Sequence, residues 1–417
     1  MRILFIAPYP LSRIRIRSYG FASQLARQHD ITVLVLCSNQ REALDVQILQ
    51  NEGLNVIAVE DKRMWKVWRA LRAIFSSQPL QVAFDASLRF RAAIEEQLAG
   101  VQFDIVHVEF IRALGALPPE ISPPVIWDAV DCISLLYEYG AKHGATPMLR
   151  FIGKREAART RAYERLQLQR FQHVLVTSPR DQQALEAIGR DGQIKEQGQP
   201  IAKITALPHG IDQEYYQYYR GERQPETLIF SGKMSFHANV AGALHLVQKI
   251  MPLIWRERPQ VRLVIAGSKP PTSIRALAKD SRIEVTGYVA DLRPAIQGAR
   301  VAICPLPYAV GIQNKVLEAM ALGTPVVASS HAAAGLQAVA GQDLLVADDP
   351  EQVAQATLRL LNDEDAWQTL SRQGHSYIQK YHNWNTITTD LIALYTQALN
   401  RVYEQDTNED SIAGLTV

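Results

Sequence analysis

In the stretch GIQNKVLEAMALGTPVV, residues 311–327, a glycine, two side-chain amides, a lysine and a glutamate fall within a few positions of one another. Gly311 lets the backbone approach a ligand closely. The free N–H groups that open a helix at Ile312, Gln313 and Asn314 would form an anion site, and Lys315 adds positive charge beside them. Glu318, three residues on, lies on the same helical face and can accept two hydroxyl hydrogen bonds, as a ribose diol would offer. A diphosphate beside a ribose is a nucleotide. The competing reading is a solvated Lys–Glu pair worth roughly 0.2–0.5 kcal/mol.

Three further segments belong to the same pattern. FSGKMSFHAN (230–239) places Gly232 and Lys233 after an apolar strand, and VIAGSKP ends the next strand at Gly267. VTGYVADLRPAI puts Gly287, Val289 and Asp291 in a loop before a helix. A glycine at a strand end is by itself a turn. Together these segments ring one sheet edge with glycines, two lysines and a diol acceptor, which favours a nucleotide site.

The elements that must position these residues are legible as short apolar runs alternating with helical patterns. RILFIAP, ITVLVL, LNVIAVE, DIVHVEF, PVIWDA and HVLVTS form one series. TLIFSG, VRLVIAG, IEVTGY, RVAICPL, TPVVAS and DLLVAD form a second, after the polar stretch 189–200. Apolar strands separated by helices indicate parallel sheets covered on both faces. The expected fold is α/β, with two doubly wound, Rossmann-like domains facing a cleft. The expected boundaries are 1–205, 206–385, a helix at 386–405 packing back toward the first domain, and a disordered polar tail at 406–417.

Composition bounds the function. The chain has 417 residues, 47% hydrophobic and 21% charged, with a net charge of +2, so no global charge argues for a nucleic-acid partner. Cys37, Cys132 and Cys304 are isolated, which suggests a reducing compartment. The opening MRILFIAPYP is too short for a signal-peptide core, and no run reaches the roughly 18 apolar residues of a spanning helix. A cytoplasmic location is expected. DED at 363–365 fits a helix start better than a metal site.

KRMWKVWRALRAIF (62–75) is helical by period, with Met64, Val67, Trp68, Leu71, Ile74 and Phe75 on one face. Lys62, Arg63, Lys66 and Arg69 lie opposite. Either the apolar face packs on the sheet of its own domain, or the segment holds the protein peripherally at an anionic membrane surface.

On these motifs the chain resembles the group 1 (family 4-like) retaining glycosyltransferases of the GT-B fold. The resemblance covers nearly the whole chain and is strongest from Gly232 to Val327. RIRSY (15–19), DAVDCIS (128–134), REA (155–157) and GIQNK (311–315) are similar to sugar transferases of exosortase (PEP-CTERM) exopolysaccharide systems. The resemblance implies a nucleotide-sugar donor, UDP- or GDP-linked, bound by Gly232, Lys233, Gly267, Val289, Gly311, Ile312, Gln313, Asn314, Lys315 and Glu318. It implies transfer of a hexose-type sugar with retention, without metal or cofactor, to a lipid-linked or polysaccharide precursor. Closure about 189–226 would exclude water.

Lys233 and Lys315 would meet the charge growing on the leaving diphosphate. The family often has a histidine after the fourth strand of the first domain; Glu109 stands at the matching place and is the catalytic candidate there, with His107 nearby. Arg15 and Arg17, in the first strand-to-helix loop, are the candidates for an acceptor phosphate. His209 in LPHGID reads as structural. Two departures stand out. The first of the family's paired glutamates falls on Val310, and the second phosphate-binding lysine, six residues after Lys233, is Asn239. Lys315 could supply that missing charge. Two rivals stay open: a nucleotide-sugar epimerase-like enzyme on the same scaffold, and a non-catalytic nucleotide-sugar binding module.

Overall fold

Each apolar run of the two series contains a strand, buried inside the sheets and partly exposed at their edges. The computed structural model describes residues 1–12, 15–143, 147–193 and 202–413. The first sheet contains β1 (Arg2–Ala7), β2 (Asp30–Cys37), β3 (Asn55–Glu60), β4 (Ile105–Glu109), β5 (Val125–Val130), β6 (His173–Val176) and β7 (Lys203–Ala206). The second contains β8 (Gln224–Ser231), β9 (Arg262–Ala266), β10 (Ile283–Gly287), β11 (Ala299–Cys304), β12 (Val326–Ala328) and β13 (Leu345–Val346). Strand order is β3-β2-β1-β4-β5-β6-β7 in one and β10-β9-β8-β11-β12-β13 in the other. All pairings between these strands are parallel. The order reverses between β1 and β4, and again between β8 and β11. Such switch points open a crevice beyond the carboxyl ends of the strands.

The chain forms two compact units, Met1–Gly210 with Trp384–Val417, and Ile211–Asn383. In the first, Ile387, Leu391, Leu394, Tyr395 and Ala398 recur at helical spacing along the Trp384–Ala413 helix and join Ile3, Phe5 and Val33 in one core layer. Trp384 seats over Gly20, where a Cβ would lie 1.9 Å from the indole. The helix runs to Ala413, past Asp406, where the sequence reading expects a disordered tail; residues 414–417 lie outside the described residues. Of the polar stretch 189–200, the Pro179–Gln193 helix takes the first part, and 194–200 lie outside the described residues. Asp363 of DED caps the Glu364–Tyr381 helix by accepting from the Ala366 amide at 2.9 Å.

Of the two readings of 62–75, packing of the apolar face on its own domain is not what the structure has. The Arg63–Ala73 helix does not lay its apolar face on its own sheet. Lys66 is buried and ion-paired with Asp85, whereas Met64, Trp68, Leu71 and Phe75 are exposed. Asp85 and Asp61 lie beneath the helix and take Lys66 and Arg69, which decides how it turns.

Candidate functional site

In the second unit the carboxyl ends of β10, β9, β8 and β11 lie side by side, which aligns Gly287, Gly267, Gly232 and the loop leading to Gly311 along one sheet edge. Gly267 has φ +150°, and a Cβ there would sit 1.8 Å from the Gly232 carbonyl oxygen. Only a residue without a side chain permits that approach. The Gly232 amide donates to Ala266 O at 2.9 Å, holding the two strand ends together. Val289 is partly buried in the loop beyond Gly287.

Lys315 is delivered to this edge. Its Nζ donates to Asn239 Oδ1, while Asn239 Nδ2 donates to Lys233 O at 3.0 Å. A Cβ on Gly232 would meet both Asn239 Nδ2 and Lys315 Nζ, at 2.9 and 3.1 Å. The ammonium therefore stands beside Asn239, the position at which the resemblance expects a lysine. Burial pulls the Lys315 pKa down, with Cys304 and Glu318 acting in the other direction. Lys233 itself is exposed.

Glu318 lies one turn along the same helix, Asn314–Ala321. Burial pushes its carboxyl up to about 7, against a hydrogen bond from Tyr216 and the charge of Lys315. At the helix start Gln313 Nε2 donates to Val310 O at 3.0 Å, and Asn314 Oδ1 is buried with no hydrogen-bond partner among the described residues. Gly311 packs against a glycine that sequence reading did not single out: a Cβ on Gly335 would lie 2.3 Å from Gly311 O.

The helix ends on a Schellman motif. Gly323, at φ +72°, donates to Met320 O at 3.0 Å, and Thr324 donates to Ala319 O at 2.8 Å. Tyr218 fills the space a Cβ on Gly323 would need, and Arg223 donates to Leu322 O and Thr324 Oγ1, both at 2.7 Å. The run YYQYY, residues 215–219, thus supplies both the partner of Glu318 and the brace of its helix. The run was visible in the sequence; its pairing with residues about a hundred positions away was not.

The first unit puts an acid at its switch point. Glu109, the catalytic candidate of this unit, ends β4 and is enclosed, at 2% exposure. Its Oε1 accepts from Tyr9 Oη at 2.8 Å and Ser18 Oγ at 2.5 Å, while Oε2 is buried without a partner among the described residues. Burial, then the charge of Asp128, pushes its carboxyl up to about 7. The next residue, Phe110, has φ +68°, a strained conformation for a bulky side chain beside a candidate site.

Arg17 does not serve as a free acceptor clamp. It is buried, its Nε and Nη2 reach the two Asp128 oxygens at 2.7 and 3.0 Å, and its Nη1 donates to Leu207 O at 2.6 Å. Its donors are directed inward. Arg15 is only partly buried, and its guanidinium lies 3.3 Å from the centre of the Tyr9 ring. His107 is fully buried, hydrogen-bonded through Nδ1 to Tyr395 Oη at 2.8 Å and stacked on Phe5. His209 is buried, with Nδ1 3.1 Å from Gly210 O. Among the described residues no His, Cys, Asp or Glu side chains gather in the threes a metal ion needs.

Residues 225–363 match the family model described as glycosyl transferases group 1. Glycogen synthase of Mycobacterium tuberculosis is 26% identical over 213 residues, 48% of this chain and 50% of that protein. The MMP alpha-(1->4)-mannosyltransferase of Mycolicibacterium hassiacum is 25% identical over 210 residues, again 48% and 50%. The chain thus spans about half the length of the curated relatives it matches. Among solved structures, HepE of Anabaena in complex with UDP superposes with a TM-score of 0.65 at 12% identity, over 95% of this chain and 100% of that one. Sucrose-phosphate synthase of Thermosynechococcus elongatus gives 0.67 at 16%, over 96% and 100%. The fold is GT-B, as the structural neighbours show, and within it residues 225–363 match the model of the group 1 glycosyl transferases.

Proposed function

We propose that this protein is a retaining hexosyltransferase that takes sugar from a UDP- or GDP-linked donor held by the Ile211–Asn383 unit. The observation that carries the reading is the placement of Lys315 Nζ against Asn239 and Gly232, at the edge where two strand ends meet without side chains. In this reading the diphosphate lies on the Gly232–Gly267 edge and on the helix-opening amides of Ile312, Gln313 and Asn314. Glu318 accepts from the ribose hydroxyls, and Gly267 and Val289 border the base. Support for the nucleotide comes from the relatives: HepE of Anabaena has been crystallised with UDP and with UDP-glucose.

As the glycosidic bond breaks, negative charge grows on the leaving diphosphate. In this reading Lys315 and Lys233 meet that charge, and a charge-assisted hydrogen bond of this kind contributes about 1.5–3 kcal/mol. The retaining course assigned here has the acceptor enter on the face the nucleotide leaves, with the departing phosphate taking its proton, so no protein nucleophile is required. The acceptor, a lipid-linked or polysaccharide precursor, falls to the first unit. There Arg15 is the anion-binding candidate, and the enclosed Glu109 positions Tyr9 beneath it instead of touching substrate.

A second reading, a nucleotide-sugar binding module without turnover, is favoured by one feature, the apolar Val310 where a sugar-binding glutamate is expected. Incubation of the purified protein with UDP- and GDP-hexoses and polyprenyl-linked sugar acceptors separates the readings by mass spectrometry. A new glycoside with stoichiometric free nucleotide supports transfer. Epimerised donor, or bound donor that never turns over, overturns it.

A further inference from the structure

We propose that the exposed apolar face of the Arg63–Ala73 helix, continued by the start of the Pro147–Arg170 helix, docks on an anionic lipid bilayer. A helix carrying this many apolar side chains ordinarily turns them inward. Here the reverse is built in. Lys66, 4% exposed, places Nζ 3.0 Å from Asp85 Oδ1, and Arg69 pairs with Asp61 and donates to Phe84 O at 2.9 Å. These inward ion pairs fix the rotation of the helix and leave Met64, Trp65, Trp68, Leu71 and Phe75 in water, with Phe75 at 93% exposure.

The second helix is tied to the first. Arg155 and Arg159 donate to the Ile74 carbonyl at 2.5 and 2.7 Å, and Glu156 accepts from the Leu80 amide at 2.8 Å. This brings exposed Met148, Phe151 and Ile152 to the end of the patch. Apolar surface of this extent on a soluble chain marks an interaction site.

Charge selects the occupant. Neither 62–75 nor 147–155 contains an acidic residue, while Lys62, Arg63, Arg72, Arg150 and Lys154 are exposed around the aromatics. Arg72 lies 4.6 Å from the Trp68 ring centre, and Trp65 and Trp68 meet edge to face. Indole rings with arginine and lysine at their margin match the boundary between acyl chains and anionic headgroups. A second copy on the same face would set basic rims against each other. Among the described residues no helix is long and apolar enough to cross a membrane, so the contact proposed is one of lying on the surface.

The inference does not rest on the donor reading, and one experiment keeps them apart. The full chain is sedimented with vesicles of phosphatidylcholine alone and of phosphatidylcholine with phosphatidylglycerol, while tryptophan emission is followed with brominated lipid. We expect binding to the anionic vesicles only, with a blue shift and bromine quenching. Trp68→Ser with Phe75→Ser should weaken binding about tenfold or more, and Arg72→Glu about fivefold. Both variants should keep the wild-type melting temperature and nucleotide binding, since these side chains point into solvent. Failure to bind anionic vesicles overturns the proposal, as does equal binding by the serine variant. So does a wild-type dimer that the serine substitutions dissolve without any vesicle binding, which would assign the face to a second copy.

Discussion

The two switch points are built on the same topology and filled in opposite ways. In the second unit the strand ends carry glycines, Gly232 and Gly267 among them, and the backbone lies open beside a lysine. In the first unit the ends of β4 and β5 carry bulky residues in left-handed conformations, Phe110 and Val130, and the crevice is occupied by the chain's own Tyr9, Ser18, Glu109 and Arg17. A crevice lined by amides and an ammonium suits a rigid, multiply charged ligand whose phosphates replace the missing side chains. One lined by hydroxyls, a buried carboxyl and an internal ion pair is already filled by its own side chains.

The largest effect is expected at the buried Arg17–Asp128 pair of the first unit. Asp128→Ala leaves the Arg17 charge enclosed without its partner and should destabilise the protein by about 3–5 kcal/mol, read by urea unfolding, with nucleotide binding per folded molecule unchanged. In the second unit, Gly267→Ala sets a methyl group against the Gly232 carbonyl and asks for a strained backbone. The expected loss is about 3 kcal/mol of stability, accompanied by loss of nucleotide binding. Lys315→Met should instead spare stability while weakening nucleotide affinity by about 1.5–3 kcal/mol, roughly 10- to 150-fold.

The smallest effect is a pH dependence. Glu318 and Glu109 both have folded pKa values raised to about 7 from 4.5. The folded state thus holds their protons over that window, and stability should fall as pH rises from about 4.5 through 7. Glu318→Gln should flatten this slope by roughly 1–3 kcal/mol across the window, measured by melting temperature from pH 5 to 8. If ribose hydroxyls bond the ionised carboxylate, saturating UDP should remove the Glu318 contribution and leave that of Glu109.

How much of this was legible in the sequence depends on the range over which the physics acts. The long parallel strands announce themselves because burial on both faces demands a continuous apolar run, as in RILFIA and TLIFS. The short edge strand KITA of β7 does not, since it alternates and is only partly buried. The spacing of Gly311, Lys315 and Glu318 is local, so the helix start and the shared face of the lysine and the glutamate can be read without the fold. The pairing of Arg17 with Asp128 and of Tyr216 with Glu318 joins residues about a hundred positions apart, which no spacing encodes. For KRMWKVWRALRAIF the period gives two faces and not which one turns inward. Asp61 and Asp85 decided that, and the basic face is the one partly buried.

Whether the helix opening at Gly311 belongs to a nucleotide site is decided by calorimetric titration of UDP and GDP into the wild type and Glu318→Ala. Clear binding of one nucleotide to the wild type and a marked loss in Glu318→Ala, with the variant still folded, is the expected result. Binding of neither nucleotide below millimolar concentration, or equal binding to both proteins, would contradict it and return the lysine and the glutamate to a purely structural role.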